Sequence, residues 1–195
     1  MTAVRRPVPA AAKAAAGRNR VRIIGGEFRS RILRFPPASQ LRPTPDRVRE
    51  TLFNWLGQRL DGLSCLDLFA GSGALGFEAA SRGAARVVMV ERDRAAARQL
   101  RENAAELGAA TVRVVEGDAL AFLANDRAAY NVVFLDPPFA SDLALRSLEA
   151  LAPRLAPGGR IYLESAGDVQ PPSPWAPVRE GRAGAVRYAL FELRP

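Results

Sequence analysis

The chain has 195 residues, 48% hydrophobic and 25% charged, which suits one compact domain with a modest appendage and argues against global disorder. Histidine is absent and Cys65 is the single cysteine; His-based triads, His-ligated metals, internal disulfides and multi-cysteine zinc sites are therefore excluded. Net charge is +8, concentrated at the front: residues 1–60 hold 13 basic and three acidic side chains (net +10), the other 135 hold 15 arginines and 17 acids (net −2), the footprint of a polyanionic partner.

Residues 1–19 are rich in Ala, Pro and Arg, and Lys13 interrupts the alanines. With no hydrophobic run for secretion and no apolar stretch of about 18 residues for a membrane, this segment reads as a disordered basic arm on a cytoplasmic protein. Residues 20–62 read as a hairpin and a helix forming a basic extension suited to a nucleic acid. Two short strands are expected within Val21–Phe35, around a Gly25-Gly26 turn, with Arg20, Arg22, Arg29, Arg31 and Arg34 on one exposed ribbon. Thr44 is expected to cap a helix with Pro45 at its first position and Asp46 in its first turn. Val48, Leu52, Trp55, Leu56 and Leu60 fall at helical spacing, leaving the Arg47, Glu50 and Asn54 side free.

Residues 63–195 alternate strand-like and helix-like runs. Strands are expected at Cys65–Phe69, Arg86–Glu91, Thr111–Glu116, Asn131–Leu135 and Arg160–Glu164, and helices at Ala74–Arg82, Arg94–Leu107, Ala119–Asn125 and Asp142–Leu155. Such alternation implies an α/β, Rossmann-like, doubly wound and mostly parallel sheet. Pro177–Arg182 and Val186–Leu193 read as a closing antiparallel hairpin. Cys65 is expected as a small buried core residue, and Phe53 and Trp55 as the residues that pack the first helix onto the sheet.

Gly71, Gly73 and Gly76 follow the first parallel strand and open a helix, a loop whose backbone can press against a ligand. Gly71-x-Gly73-x-x-Gly76 also satisfies the dinucleotide fingerprint. Glu91 ends the next strand, where an acid accepts from ribose hydroxyls in either cofactor class. Asp67, four residues before Gly71, would repel a pyrophosphate and suit a cationic ligand, and Asp118 can take an adenine amino group or cap a helix. These acids suit S-adenosylmethionine, with its ammonium and sulfonium charges, better than NAD.

Asn131 to Leu135 deliver Asp136-Pro137-Pro138-Phe139 to the carboxyl edge of the fourth parallel strand, and the prolines stiffen that loop. An exocyclic amine on a nucleobase is a poor nucleophile. The Asp136 carboxylate and the Pro137 carbonyl can accept its two N–H bonds, and Phe139 can stack on the base. This chemistry needs neither histidine nor metal.

The combination Asp67-x-Phe69-x-Gly71-Ser72-Gly73, Glu91-Arg92-Asp93 and Asp136-Pro137-Pro138-Phe139 resembles the class I methyltransferases that modify exocyclic amines. The front string, Arg22-Ile23-Ile24-Gly25-Gly26 with Arg29-Ser30-Arg31 and then Arg42-Pro43-Thr44-Pro45-Asp46-Arg47 through Asn54-Trp55-Leu56, resembles the RsmD family over about residues 20–193. That resemblance implies methyl transfer from S-adenosylmethionine to the N2 amine of guanine 966 in 16S rRNA, with the small ribosomal subunit as partner and a monomeric enzyme. It implies Asp67, Gly71, Gly73, Glu91 and Asp118 at the cofactor, flanked by Phe69, Ser72, Arg92 and Ala119. Asp136, Pro137, Pro138 and Phe139 would hold the guanine. Arg42, Thr44 and Arg47 would lie near the cofactor or the rRNA, Arg22, Arg29 and Arg31 would complete the RNA-binding set of the extension, and the family usually has Gly where Ser30 stands. The alternatives are an N6-adenine methyltransferase on DNA or RNA, a non-catalytic ribosome-assembly binding protein and, remotely, an NAD-dependent dehydrogenase.

Overall fold

The computed structural model describes residues 19–36, 44–138, 141–167, 171 and 173–194. The arm before Asn19, and Arg42 and Phe139 among the candidate site residues, lie outside them.

A small antiparallel pair comes first, β1 (Arg20–Arg22) and β2 (Ile32–Arg34), followed by α1 (Asp46–Leu56). The sheet proper is built from β3 (Ser64–Asp67), β4 (Arg86–Glu91), β5 (Val112–Glu116), β6 (Tyr130–Leu135), β7 (Leu155–Ser165), β8 (Trp175–Ala183) and β9 (Val186–Leu193). Between the parallel strands run α2 (Ala74–Ser81), α3 (Arg94–Leu107), α4 (Ala119–Asn125) and α5 (Leu143–Leu151). The strand order is β5-β4-β3-β6-β7-β9-β8, parallel from β5 to β7 and antiparallel at β9 and β8. The chain steps outward from β3 to β5 and then crosses back to β6 on the other side of β3. A crevice opens at such a switch point, outside the carboxyl ends of β3 and β6.

Period-two alternation explains the two cores. Cys65, Met89, Val132, Phe134 and Tyr162 pack on one face with α1 and α2, while Leu66, Val88, Val133, Leu135 and Leu163 pack on the other with α4 and α5. Each fully buried side chain of this size contributes roughly 1.5–3 kcal/mol. Cys65 is fully buried among them, and burial pushes its thiol up to about 12. Phe53 meets Phe134 with ring centroids 6.0 Å apart, and Trp55 meets Tyr188 at 5.5 Å, so α1 is held on the sheet as expected.

Four local expectations are corrected. Gly25-Gly26 does not close β1 on β2. The connection spans residues 23–31 and is folded onto the end of α2, where the Glu27 N–H donates to the Ser81 carbonyl (2.7 Å) and the Phe28 N–H to Ser81 Oγ (2.9 Å). Gly26 has φ 76°, and a Cβ there would sit 1.8 Å from the Ser81 oxygen, so close backbone approach is what requires glycine. Thr44 does not cap α1: Pro45 occupies that position without a side-chain bond, and the Thr44 hydroxyl turns inward instead. The last parallel strand begins at Leu155, with the Ala-Pro-Gly-Gly of 156–159 bulged out before pairing resumes at Arg160. The helix expected to run on to Leu155 stops at Leu151, followed by a 3-10 turn at Ala152–Arg154.

The extension is stapled to the domain by Glu78 of α2, a fully buried carboxylate. It accepts from the N–H groups of Ile24 and Gly25 (2.8 Å each), from Arg82 Nε (2.9 Å) and from Arg49 Nη1 (3.3 Å). Arg49 is itself fully buried and also donates to the Thr44 and Arg22 carbonyls and to Asp46 Oδ1. A buried arginine with this many acceptors is held by geometry as well as charge.

Candidate active site

Strand register aligns a row of acids. Asp67 pairs with Met89 on one side and with Phe134 on the other, and Phe134 pairs with Tyr162. Two residues further along their strands, on the same face, stand Glu91, Asp136 and Glu164. Carboxylates therefore stand at the carboxyl ends of four neighbouring strands, along one edge at the switch point.

Each acid has a distinct environment. Asp67 is buried and accepts the Gly76 N–H (3.0 Å). Burial drives its pKa up to about 7, that bond opposes the rise, and the charges of Glu91 and Glu164 add to it. Asp136, half-buried just past β6, is pushed up to about 8, first by burial and then by the charges of Glu164 and Asp67. Glu164 is raised by burial and drawn back by two hydroxyl donors, Thr44 Oγ1 at 2.7 Å and the Tyr162 OH at 2.9 Å. Glu91 bridges the loop, accepting from the Gly71 N–H (2.8 Å) and the Asp93 N–H (2.7 Å). Burial makes Asp67, Asp136 and Glu164 costly to ionise, so they gain from an entering cation.

The glycine loop decides which cofactor class fits. Gly71 and Gly73 take φ of 51° and 77°, and Gly73 is the N-cap of α2. Three N–H groups of this loop are already engaged: Gly71 donates to Glu91, Gly73 to the Ala70 carbonyl (2.7 Å) and Gly76 to Asp67. Two of these bonds end on carboxylates, which place negative charge where a dinucleotide would put its pyrophosphate, and this acceptor set suits a ligand with a cationic group and hydroxyls. No group of three or more acid or thiol side chains among the described residues is placed to hold a metal ion.

Ser72 is buried in the loop, and Phe69 is half-buried against the core below it. Asp118 is exposed at the end of β5 and caps α4, its Oδ1 accepting from the Ala121 N–H (2.9 Å); Ala119 is the buried first residue of that helix. Arg92 is exposed beyond Glu91. After Asp136, Pro137 is buried and Pro138 exposed, with the Pro138 carbonyl accepting from Ser141 Oγ (2.6 Å).

Of the arginines, Arg47 is exposed on α1, and Arg22 is exposed and reaches Asp46 at 3.3 Å. Arg31 donates to the Glu106 carbonyl near the end of α3, and Arg29 lines a hollow of about 820 Å³ with Glu50, Arg59 and Asp61. Both lie toward the amino edge of the sheet, away from the acid row.

Two features escape motif reading. Glu164 stands at the carboxyl end of β7, one residue before its last, much as Asp67 and Glu91 end their strands, and that repeated position is the signal that could have found it. Arg49 sits in a charged helix with nothing local to mark it as buried.

A family model described as Conserved hypothetical protein 95 matches residues 21–192. The chain is 46% identical over 181 residues to Ribosomal RNA small subunit methyltransferase D of Escherichia coli (strain K12), covering 90% of this chain and 91% of that one. The chain belongs to the RsmD family. The solved structure of yhhF from Escherichia coli matches with a TM-score of 0.82 at 46% identity, over 89% of this chain and 98% of that one. An RNA methyltransferase from Salinibacter ruber in complex with S-adenosyl-L-homocysteine matches with a TM-score of 0.59 at 25% identity, over 76% of this chain and 92% of that one. The RsmD fold is the class I methyltransferase fold, as the alternation of elements predicts.

Proposed function

We propose that this protein transfers a methyl group from S-adenosylmethionine to the exocyclic N2 amine of guanine 966 in 16S rRNA, within the small ribosomal subunit or a precursor, in the cytoplasm. The observation that carries the reading is the Asp136-Pro137 elbow standing one strand away from a glycine loop whose Gly71 and Gly76 N–H groups are held by the carboxylates of Glu91 and Asp67. The relatives' names and the S-adenosyl-L-homocysteine held by the Salinibacter protein support it.

Glu91 would accept from the ribose hydroxyls, Asp67 would face the cationic end of the donor, and Asp118 would accept from the adenine amine with its second oxygen. When bound, the donor supplies a methyl group already activated on sulfonium sulfur. Asp136 Oδ and the Pro137 carbonyl would accept the two N–H bonds of the target amine and aim its lone pair, with Phe139 stacked on the base. Rigid placement of that amine lowers the barrier by removing its orientational freedom. A carboxylate whose proton affinity is raised to about 8 is also suited to take the proton the amine sheds. The exposed arginines Arg22 and Arg47, beside the acid row's end of α1, would meet the RNA backbone.

The test is incubation with labelled donor and 30S particles from cells lacking the activity, followed by nucleoside analysis. The reading expects label as N2-methylguanosine in 16S rRNA, abolished by Asp136→Ala while donor binding persists. Unlabelled 16S rRNA, or label as N6-methyladenosine, overturns it.

A further inference from the structure

Glu164 stands beside Asp136 at the same edge, and nothing in the reaction above uses it. Its two hydroxyl donors both land on Oε1: Thr44 from the N-terminal extension and Tyr162 from two residues back on β7. Oε2 accepts no hydrogen bond among the described residues. An ionised carboxylate only accepts, with room for about four hydrogen bonds on its two oxygens, so this buried group has acceptor capacity left over.

We propose that Glu164 accepts the N1–H of the target guanine and is the residue that selects guanine over adenine. This inference rests on the guanine-N2 reading. Guanine presents N1–H and the N2 amine as adjacent donors on one edge of the ring, so a base whose amine is gripped at Asp136 needs a second acceptor next to it. Register supplies one: Leu135 and Leu163 are paired, and Asp136 and Glu164 are the next residues on their strands. Adenine gripped by its N6 amine would present the N1 lone pair to the same carboxylate, two acceptors facing one another. A site built to accept a donor discriminates sharply against a ligand without it, because its own buried polar group is left unpaired.

The two hydroxyls have a clear role here. They fix the carboxylate's plane, and they favour its ionised form against the pull of burial. Asp136 has no comparable donor among the described residues. Of the two neighbouring acids, Glu164 is thus the one whose carboxylate is held in place as an acceptor by hydroxyl donors. Because Thr44 belongs to the extension, the residue that reads the base is held partly by the segment that meets the RNA.

The experiment uses 30S particles assembled with 16S rRNA carrying either guanine or 2-aminopurine at the target position. 2-Aminopurine keeps the N2 amine but has a bare N1. The wild-type enzyme is expected to prefer guanine in kcat/KM, and Glu164→Gln to shrink that preference roughly 10–100-fold, the worth of one charge-assisted hydrogen bond. Gln keeps a carbonyl for Thr44 and Tyr162 and can donate to the bare N1. Its affinity for S-adenosylhomocysteine should match wild type. Equal use of guanine and 2-aminopurine by the wild-type enzyme overturns the proposal with no variant needed, as does a Glu164→Gln that slows both substrates alike. Transfer to guanine N2 with an unchanged preference sinks this inference alone. A wild-type enzyme that leaves guanine unmethylated sinks the function on which it rests.

Discussion

Asp136 is the residue whose electrostatics bear most directly on the proposed reaction. Its folded pKa, about 8, lies above the ordinary carboxylate value of 3.8 because burial and two acidic neighbours penalise its charge. The folded state therefore binds this proton more tightly than the unfolded chain does. Stability from this residue is full below the unfolded value and is lost as pH rises through about 8. Asp67, raised to about 7, adds in the same direction. We expect Asp136→Asn to melt above wild type at pH 9 without ligand, with the gap closing toward pH 5; each kcal/mol recovered corresponds to roughly 2–4 °C in a chain of this size. Because the amine is held by the ionised form, kcat/KM is expected to rise with pH toward the same value. A pH-independent melting difference, or transfer fastest at pH 5, would contradict this assignment.

Elements join this chain through polar contacts as much as through apolar ones, and that sets the limit of what the sequence discloses. Hydrophobic periodicity was enough to place β4, α3, α4 and β9 to the residue, and strand-end position singled out Asp67, Glu91 and Asp136, which the structure brings to one edge of the sheet. It did not reveal that Gly25-Gly26 lies against α2 or that Thr44 reaches across to Glu164, because both are contacts between segments distant in sequence. Ser30 is instructive in the same way. It adopts φ 67°, the left-handed conformation that glycine takes without steric penalty, so the backbone keeps the path a glycine would follow. Ser30→Gly is expected to stabilise the protein by about 1 kcal/mol in denaturant unfolding; a loss of stability would show that the serine side chain contributes more than its backbone costs. Glu78→Ala should cost about 3–5 kcal/mol in the same assay, since it strands the buried Arg49 charge and orphans two backbone N–H groups. A loss below 1 kcal/mol would mean the extension is held by its apolar contacts alone.

Across the whole molecule, charge and chemistry are segregated. The basic excess belongs to the first 60 residues, yet much of it in the described part is spent internally. Arg49 is buried, Arg34 pairs with Glu106 and Arg59 with Asp61. Composition alone overstates the free positive surface for that reason. Replacing exposed Arg20 and Arg47 together by glutamate should weaken binding to 30S particles and flatten its salt dependence, with donor affinity unchanged; unaltered particle binding would move the RNA surface elsewhere. No helix among the described residues is long and apolar enough to cross a membrane.

The account turns on a donor cation seated among Asp67, Glu91 and the glycine loop, with its methyl group beside Asp136. A crystal structure of the protein soaked with S-adenosylmethionine tests this directly. The sulfonium methyl is expected at the mouth of the β3–β6 crevice, facing the Asp136-Pro137 elbow. Donor density outside that crevice, or an NAD dinucleotide displacing Glu91 from the Gly71 N–H, would contradict it.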